Sequence, residues 1–409
     1  MLTCLILPLR RLSGAPATGI AHMPPSSLRD CPKSGKLEPL PRPLYNYHKK
    51  LIYHITWCGN LDGRPKRGSR MKITIAGDVY LGGDLADQPL AAPIQSPTWE
   101  AGDLRLCNLE HPVSDTAELI GMLSAPSQAL DVLAAMRLDA VGLANNHIGD
   151  MGGAGISDTL RHLEAHQIHG FGAGRDERQA AVPFKINDDL FVLAYCDHDK
   201  AHMARSRVAG PDRPGAARLD EDRVMADLGR LPPGAQAILF LHWGRENTVL
   251  PPADDIALAR RLLADDRVVL IVGCHGHRLL GVVRHQGKRA YMGVGNFLIP
   301  NFFLAPGFRI VRRPEDGAPV TRTFGRIDRV MYFKWPAAAR LSGIVTFDTD
   351  SRRCRLTPVF QHDDRPQVAE LRGFRAMLVR TWLAILGWVY RLPRGLYRRL
   401  SGERGRARG

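Results

Sequence analysis

The sequence predicts an α/β protein whose sheet has a substantial parallel part. Short apolar runs alternate with amphipathic stretches whose leucines recur at three- and four-residue spacing, as in chains that alternate strands and helices. Several runs stop at a polar side chain that could bind a ligand, and α/β sheets place such side chains at the carboxyl ends of their strands. Three later runs are separated only by turns, which predicts an antiparallel extension.

The predicted elements follow in chain order. The strand candidates are Lys72–Ala76, Leu104–Asn108, Ala140–Ala144, Phe191–Tyr195, Ala237–Leu241, Val268–Val272 and Ala290–Val294. Helical periodicity is found in Ala129–Met136, Ile156–His166 and Asp254–Ala264. The runs predicted to form an antiparallel meander added to the sheet are Val330–Trp335, Leu341–Phe347 and Cys354–Phe360. Two polar segments are expected to be loops, Arg175–Val182 and Asp199–Pro233.

The positive charge of the chain is concentrated at its two ends. The formal net charge is +15, but residues 71–390 hold 37 basic and 37 acidic residues. The excess comes from twelve Lys/Arg against three Asp/Glu in residues 1–70, and from seven Arg against Glu403 in residues 391–409. A folded reader of nucleic acid usually carries its basic residues on the folded domain. We therefore expect no specific nucleic-acid partner.

The seven cysteines are scattered, odd in number and never spaced as a CxxC pair. This pattern argues against a disulfide framework and against a zinc ribbon, and it favours a reducing compartment. We therefore expect a cytoplasmic protein.

The chain divides into three segments of different composition. Residues 1–70 are rich in proline and basic residues, and Met71 is followed at once by the first strand candidate. We expect residues 1–70 to be an over-extended reading frame or a disordered leader, residues 71–365 to form the main domain, and residues 366–409 to form a basic, aromatic, amphipathic tail.

The tail allows two interpretations. Residues 374–390 are apolar and aromatic, but from Ala376 they are too short, and too charged at Arg380, to span a bilayer, which needs about 20 apolar residues. With the arginines that follow, residues 374–409 suit an amphipathic helix lying on an anionic membrane surface, here the inner face of the membrane. The alternative, weighed equally, is a last helix packed on the core with a solvated basic end.

Five apolar runs stop at oxygen or imidazole side chains. In chain order, the side chains at the ends of the five runs are Asp78; Asn108, Glu110 and His111; Asn145, Asn146 and His147; His242; and His275 with His277. Each block alone has an ordinary alternative: a turn, a helix cap or a hydrogen-bonded core histidine. Together, ligands of this kind without a necessary thiolate suit Mn²⁺, Fe or Zn²⁺. So many candidate groups are more than one ion usually needs, and two divalent ions about 3.5–4 Å apart would suit displacement at phosphorus.

Two details sharpen this interpretation. In an extended segment, His275 and His277 would point to the same side, and Gly273 and Gly276 would let the backbone come close. His147 need not be a ligand and could instead donate a proton to a leaving oxygen, with Asp150 to orient it.

These blocks, in this order, resemble the CapA family, named for a capsule and poly-γ-glutamate biosynthesis protein whose domain has a calcineurin-like metallophosphoesterase fold. The resemblance covers about residues 71 to 300. The matching blocks are Gly77-Asp78, Asn108-Leu109-Glu110, Ala144-Asn145-Asn146-His147-Ile148-Gly149-Asp150, His242-Trp243-Gly244-Arg245-Glu246 and Gly295-Asn296-Phe297.

The resemblance implies a four-layer αββα sandwich, here followed by the basic C-terminal helix, with metal ligands on the loops after the strands. It implies that Asp78 and His277 hold one ion, that Glu110 bridges, and that the second ion is held by Asn146, His242 and His275. It also implies that His147 is the proton donor, with Asp150 beside it. The side chains implied to line the substrate are Asn108, His111, Trp243, Glu246 and Asn296.

The chain departs from the family pattern at two places. Gly273-Cys274-His275-Gly276-His277 replaces Gly-His-His-Pro-His, and Tyr80 stands where ordinary calcineurin-like enzymes have the histidine of Asp-x-His. The first metal would then lack one imidazole. His111 is expected either to compensate or to contact substrate or solvent.

The resemblance implies a metal-dependent phosphoesterase in capsule, exopolysaccharide or poly-γ-glutamate biosynthesis, acting on a phosphorylated or anionic polymer-related substrate. Two alternatives stay open. One is a non-catalytic accessory subunit of a membrane polymer-synthesis complex, and the other is a soluble nucleotide phosphodiesterase.

Overall fold

A computed structural model of the chain describes residues 70–85, 93–197, 207–304, 331–362 and 367–403. These residues all belong to one compact unit, Gly63–Gly409. The predicted leader, residues 1–70, lies outside the described residues except for Arg70, which forms an ion pair with Asp348.

The strands are, in chain order, β1 (Lys72–Val79), β2 (Ile94–Gln95), β3 (Leu104–Leu109), β4 (Ala140–Gly142), β5 (His169–Phe171), β6 (Ala173–Gly174), β7 (Phe184–Lys185), β8 (Leu190–Cys196), β9 (Gly215–Ala216), β10 (Gln236–His242), β11 (Val268–Cys274), β12 (Val282–His285), β13 (Lys288–Tyr291), β14 (Asn296–Leu298), β15 (Phe302–Leu304), β16 (Met331–Phe333), β17 (Leu341–Asp348), β18 (Cys354–Gln361) and β19 (Val368–Glu370). The α-helices are α1 (Pro97–Glu100), α2 (Asp131–Ala135), α3 (Gly152–Ala165), α4 (Glu177–Ala180), α5 (Glu221–Gly229), α6 (Ala253–Ala264), α7 (Gly373–Val389) and α8 (Arg394–Leu400). Short 3-10 helices span Gly83–Leu85, Ser127–Leu130 and Ala337–Ala339.

The larger sheet has the strand order β2-β19-β18-β17-β1-β3-β4-β5, and β14 pairs with the end of β1. Its β1, β3, β4 and β5 are parallel, whereas β17 and β18 run antiparallel to their neighbours. A second sheet has the order β12-β13-β11-β10-β8-β7, with β8, β10, β11 and β13 parallel. The mixed α/β class predicted from the sequence is confirmed, and each of the early strand candidates overlaps a strand.

The apolar strands of the second sheet are buried on both faces. In β10, Ile238 and Phe240 belong to a cluster shared with the larger sheet, while Leu239 and Leu241 belong to a cluster on the opposite face. A parallel strand covered on both sides needs such a continuous apolar run. The ring of Phe240 lies 6.4 Å from the ring of Phe171 at the end of β5, so the two sheets meet here.

The opposite face of the second sheet is covered by helices. Along α6 the buried residues Ile256, Ala259, Leu262 and Leu263 recur at helical spacing and enter the same cluster as Leu239. The amphipathic pattern predicted for Asp254–Ala264 is therefore confirmed.

The C-terminal helices pack on this layer. Leu386 and Tyr390 enter the second cluster, and the Tyr390 hydroxyl accepts a hydrogen bond from the backbone N–H of Gly281. In α8 the Tyr397 hydroxyl donates to the carbonyl oxygen of Pro251. The inner face of α7 is therefore packed on the core, as the second interpretation of the tail expected. Among the residues that the structure describes, no helix is long and apolar enough to cross a bilayer.

Two predictions about the chain's organisation were wrong in part. The run Val330–Trp335 does not extend the larger sheet, because its strand β16 pairs with β15 in a separate small sheet. The segments expected to be polar loops contain helices α4 and α5, whose N-termini are capped by the side chains of Asp176 and Asp220. Residues 199–206 of the second segment lie outside the described residues.

Candidate metal centre

The carboxyl ends of several parallel strands bring the candidate ligands together. Asp78 lies opposite Asn108 of β3 on one side and opposite Asn296 of β14 on the other. In the second sheet His242 ends β10 beside Cys274 of β11. Ligands from two sheets therefore meet at one crevice, as expected for α/β proteins.

The Gly77-Asp78 motif permits a close backbone approach. A Cβ atom at position 77 would lie 1.8 Å from the carbonyl oxygen of Gly295. That oxygen accepts a hydrogen bond from the N–H of Asp78, and Gly295 itself has φ +75°. A side chain at position 77 would push β14 away and remove Asn296 from the site.

Within the described residues, two groups of side chains have ligand atoms that all lie within 4.8 Å of one another. One group is Asp78, Glu110 and His277, and the other is Glu110, His242 and His275. All five residues are buried. Glu110 belongs to both groups.

The first group is held by two asparagines. The Asn108 Nδ2 donates to Asp78 Oδ1 at 2.8 Å. The His277 Nδ1 lies 2.8 Å from Asn296 Oδ1 and 3.8 Å from Asp78 Oδ2. Because an amide oxygen can only accept, His277 carries its proton on Nδ1 and keeps Nε2 free for a ligand role.

The second group surrounds His242. Its Nε2 lies 2.7 Å from Asn146 Oδ1 and 3.4 Å from Glu110 Oε1. The ring of His275 is 4.8 Å away, centroid to centroid. The amide oxygen of Asn146 and the carboxylate of Glu110 thus lie beside the same nitrogen of His242, next to a second imidazole.

Glu110 provides the clearest test of whether a cation fits. Both of its carboxylate oxygens are buried and accept no hydrogen bond from any described residue. Burial raises the pKa of Glu110 well above its usual value, and the charges of Asp78 and Glu246 raise it further. Burial likewise raises the pKa of Asp78, although His277 and Asn108 oppose the shift. Two adjacent buried carboxylates of this kind are normally compensated by a bound cation, so the donor set fits a divalent metal.

His147 and Asp150 form a pair at the edge of this cluster. The His147 Nδ1 lies 2.8 Å from Asp150 Oδ2, which also accepts the backbone N–H groups of Met122 and Leu123. Burial alone would lower the pKa of His147, but the charge and hydrogen bond of Asp150 raise it above its usual value. The protonated ring therefore persists to higher pH than a free histidine.

Of the five side chains expected to line the substrate, only Glu246 is exposed. Trp243 packs in the helix-covered cluster and donates its Nε1–H to the Met292 carbonyl oxygen, so it does not face the crevice. His111 is fully buried and edge-on to Tyr80, with ring centroids 5.2 Å apart. Of the alternatives expected for it, contact with solvent is therefore excluded, and it belongs to neither ligand group. Burial lowers its pKa to about 3.

The sequence-based argument about His275 and His277 needs correction. The two residues follow the end of β11 with φ of 87° and 50°, so the segment is not extended. Their rings, with centroids 6.1 Å apart, belong to different ligand groups that share Glu110. The close approach expected at Gly273 is confirmed, because a Cβ there would lie 2.4 Å from the carbonyl oxygen of Met292, whereas a Cβ at Gly276 would make only an ordinary contact.

Two residues have supporting roles that the sequence analysis did not assign to them. The Asn145 side chain donates to the Leu109 carbonyl oxygen and accepts the backbone N–H groups of His147 and Ile148, which fixes the turn that carries Asn146. Its position inside the Asn-Asn-His block was a usable signal. The ring of Trp335 packs against that of His277, tilted by 51° with ring centroids 5.0 Å apart, and no local pattern connects these distant positions.

The structure shows the surroundings of Tyr80 and Cys274, the two residues that depart from the family pattern. Tyr80 packs against His111 and Phe302 in a small apolar cluster and belongs to neither ligand group. Burial raises its pKa to about 12. Cys274, which stands where the family has a histidine, is a buried free thiol hydrogen-bonded to Asp78.

Comparison with known proteins gives the following relatives. A probable polyglutamine synthesis accessory protein of Mycobacterium tuberculosis is 28% identical over 211 residues, covering 48% of this chain and 55% of the relative. The capsule biosynthesis protein CapA of Bacillus anthracis is 23% identical over 270 residues, with 61% and 65% covered. The PGA biosynthesis protein CapA of Bacillus subtilis is 24% identical over 268 residues, with 61% and 69% covered. The chain thus spans about half to two thirds of the length of these relatives.

A solved structure from Thermus thermophilus aligns with 70% of this chain and 98% of its own, at 9% identity and a TM-score of 0.34. The model of the family described as bacterial capsule synthesis protein PGA_cap matches residues 72–301, which contain every candidate ligand described above. The chain therefore belongs to the PGA_cap (CapA) family, within the calcineurin-like metallophosphoesterase superfamily.

Proposed function

We propose that this chain is a metal-dependent phosphoesterase that acts in the biosynthesis of a capsule, an exopolysaccharide or poly-γ-glutamate. The observation that carries the proposal is that Glu110 belongs to two ligand groups at once. The biosynthetic context rests on the names of the relatives. The proposal includes the four-layer αββα arrangement implied by the resemblance, for which the two sheets meeting at Phe240 and the helices over the second sheet are support.

The residues would divide into two metal sites. Asp78, Glu110 and His277 would hold one divalent ion, and the second would be held by Glu110, Asn146, His242 and His275. Bound in a pair, ions of the Mn²⁺, Fe or Zn²⁺ type supply Lewis acidity for displacement at phosphorus. Asn108 and Asn296 orient Asp78 and His277 through their amide groups, as residues around metal ligands commonly do.

The proton for the leaving oxygen would come from His147. Its Nδ1 is engaged by Asp150, which leaves Nε2 as the ring nitrogen that can pass a proton. The backbone N–H groups of Met122 and Leu123 hold the Asp150 carboxylate in place, so the imidazole has one preferred orientation. The charge and hydrogen bond of Asp150 raise the pKa of His147 and so favour the protonated ring, which general acid catalysis requires.

The experiment is hydrolysis of aryl phosphate monoesters and diesters by the full chain with added Mn²⁺, with metal content measured on the same sample. In His147→Ala we expect turnover to fall by about 10²- to 10⁴-fold while metal content is unchanged. The matched control is His166→Ala, at the end of helix α3, which should keep full turnover. Undiminished turnover in His147→Ala would exclude the proton-donor role.

A second candidate, a non-catalytic accessory function, is favoured by one feature of this chain. Cys274 and Tyr80 leave the first ligand group with a single imidazole, that of His277. The Mycobacterium tuberculosis relative is also named an accessory protein. Metal-loaded protein without any turnover of monoesters or diesters would favour this function over the phosphoesterase.

A further inference from the structure

Helix α7 is apolar on two opposite faces. Its inner face includes the buried Leu383 and Leu386, and Leu386 packs with the adjoining Tyr390 in the cluster on the second sheet. Its outer face carries exposed apolar side chains, with Phe374 67% and Trp388 63% exposed. Only one of the two faces is covered by the described part of the chain.

The apolar side chains of the outer face extend along the helix, with the exposed Thr381 between Leu378 and Ile385. The exposed apolar side chains recur at the spacing of one helical face and are Phe374, Met377, Leu378, Ile385 and Trp388. At 1.5 Å per residue the row extends over about 21 Å. Isolated exposed apolar residues need no explanation, but a row of this length with two aromatic rings marks an interaction surface.

Positive charges border this face. Arg375 lies on one flank of the helix, Arg380 and Arg391 lie on the other, and Arg399 follows in α8. All four are exposed and form no ion pair among the residues that the structure describes. Residues 371–402 contain seven arginines and no aspartate or glutamate.

The arginines around the outer face indicate which kind of partner it fits. A second copy of the chain docked through the same face about a twofold axis would bring the arginine rows of both copies together, which is unfavourable. A surface of anionic phospholipid instead offers phosphates at the level of the arginines and acyl chains beneath for the apolar row. Long arginine side chains at the flanks of an apolar face can reach such headgroups.

We propose that the outer face of α7, with the exposed Arg375, Arg380, Arg391 and Arg399, docks this protein on the surface of an anionic phospholipid bilayer. The helix lies in the plane of the surface, while its inner face stays packed on the second sheet. This inference does not depend on the phosphoesterase activity. It would hold the candidate metal centre at the membrane, because α7 contacts Gly281, four residues after His277.

The test is sedimentation of the full chain with vesicles of phosphatidylcholine, with and without phosphatidylglycerol. We expect binding only to the vesicles that contain phosphatidylglycerol, and weaker binding at high salt. Phe374→Ser/Trp388→Ser should bind at least roughly tenfold more weakly. Arg375→Gln/Arg380→Gln should bind roughly thirtyfold more weakly, since each arginine near an anionic surface contributes about fivefold.

Matched controls alter exposed positions elsewhere. Val182→Ser/Met225→Ser removes two exposed apolar side chains, and Arg352→Gln/Arg353→Gln removes two exposed arginines in the turn between β17 and β18. Both should bind like the unaltered chain, and a loss of binding confined to the α7 variants would exclude binding driven only by net charge or by residues 1–69. All the variants change exposed side chains, so unaltered circular dichroism is expected.

Three results would overturn the proposal. The first is no binding of the unaltered chain to anionic vesicles at low salt. The second is equal binding of the α7 variants and their controls. The third is a dimer in solution that Phe374→Ser/Trp388→Ser converts to a monomer, which would assign the face to a second copy.

Discussion

The candidate metal centre and the outer face of α7 depart from the usual distribution of side chains in opposite directions. At the metal centre, two carboxylates and three histidines are buried at the strand ends. On α7, apolar and aromatic side chains are exposed along the helix. Elsewhere the strands follow the ordinary rule, as in β10, where the apolar residues are inside.

Both departures are unfavourable for the isolated chain, and each indicates a different missing partner. Burial without a counter-charge strongly disfavours the ionised form of a carboxylate, so the buried carboxylates of the metal centre indicate a bound cation. Removing apolar surface from water lowers the free energy, so the exposed face of α7 indicates an apolar binding partner. The sign of the departure therefore indicates the chemistry of what binds.

The largest effect is expected at Glu110. Because it belongs to both ligand groups, Glu110→Gln should weaken binding at both metal positions, by at least about 100-fold in affinity, whereas Asp78→Asn should affect one position only. Elemental analysis after dialysis would show near-zero metal in the first variant and about half the metal in the second. Glu118→Gln, an exposed acid on the same stretch, is the control. Equal metal content in the three variants would exclude Glu110 as a ligand shared by two metal positions.

The two faces of α7 should differ sharply in their effect on stability. Leu386→Ala removes a buried side chain packed near Gly281 and should lower the free energy of unfolding by about 3 kcal/mol. Trp388→Ser, two residues on, removes an exposed ring and should change it by less than about 0.5 kcal/mol. Urea unfolding measures both. A large loss in Trp388→Ser would mean that the outer face is covered within the protein.

A smaller effect is expected at Asp150, which acts through His147. Asp150→Asn can still accept the backbone N–H groups but loses the negative charge that raises the pKa of His147. Because His147 would act in its protonated form, turnover should fall about tenfold at neutral pH, with its basic limb moved to lower pH. A pH–rate profile measures this shift, with metal content as the control. A basic limb at the same pH in Asp150→Asn would argue against a role of Asp150 in raising the pKa of His147.

The smallest predicted effect is a pH dependence of the metal-free protein. The folded-state pKa of Glu110 is raised, so the folded state binds more protons than the unfolded state once pH exceeds about 4, and stability falls as pH rises. Glu110→Gln should therefore raise the Tm of the metal-free chain by roughly 1 °C at pH 8, as about 1 kcal/mol does in a chain of 409 residues, with little gain at pH 4. Calorimetry of both proteins across pH measures the difference. A gain that is constant with pH would exclude ionisation as its cause.

Much of this site was predictable because the strands that carry it are short apolar runs. Asp78, Glu110 and His242 each stand where such a run stops, and the parallel sheet brings those ends together. The left-handed turn at His275 was not predictable, because few residues other than glycine take positive φ and no local pattern marks this one. The same holds for Trp335, whose contact with His277 spans a long stretch of chain.

The amino-acid sequence by itself determined the α/β class, the identity and order of the candidate ligands, and the apolar, arginine-bordered character of the last helix. These are properties of local composition and spacing. The tertiary structure alone decided that Glu110 lies in both ligand groups, because this depends on how strands from two sheets meet. It also decided which face of α7 is covered, because hydropathy measures how apolar a helix is and not which side meets the core.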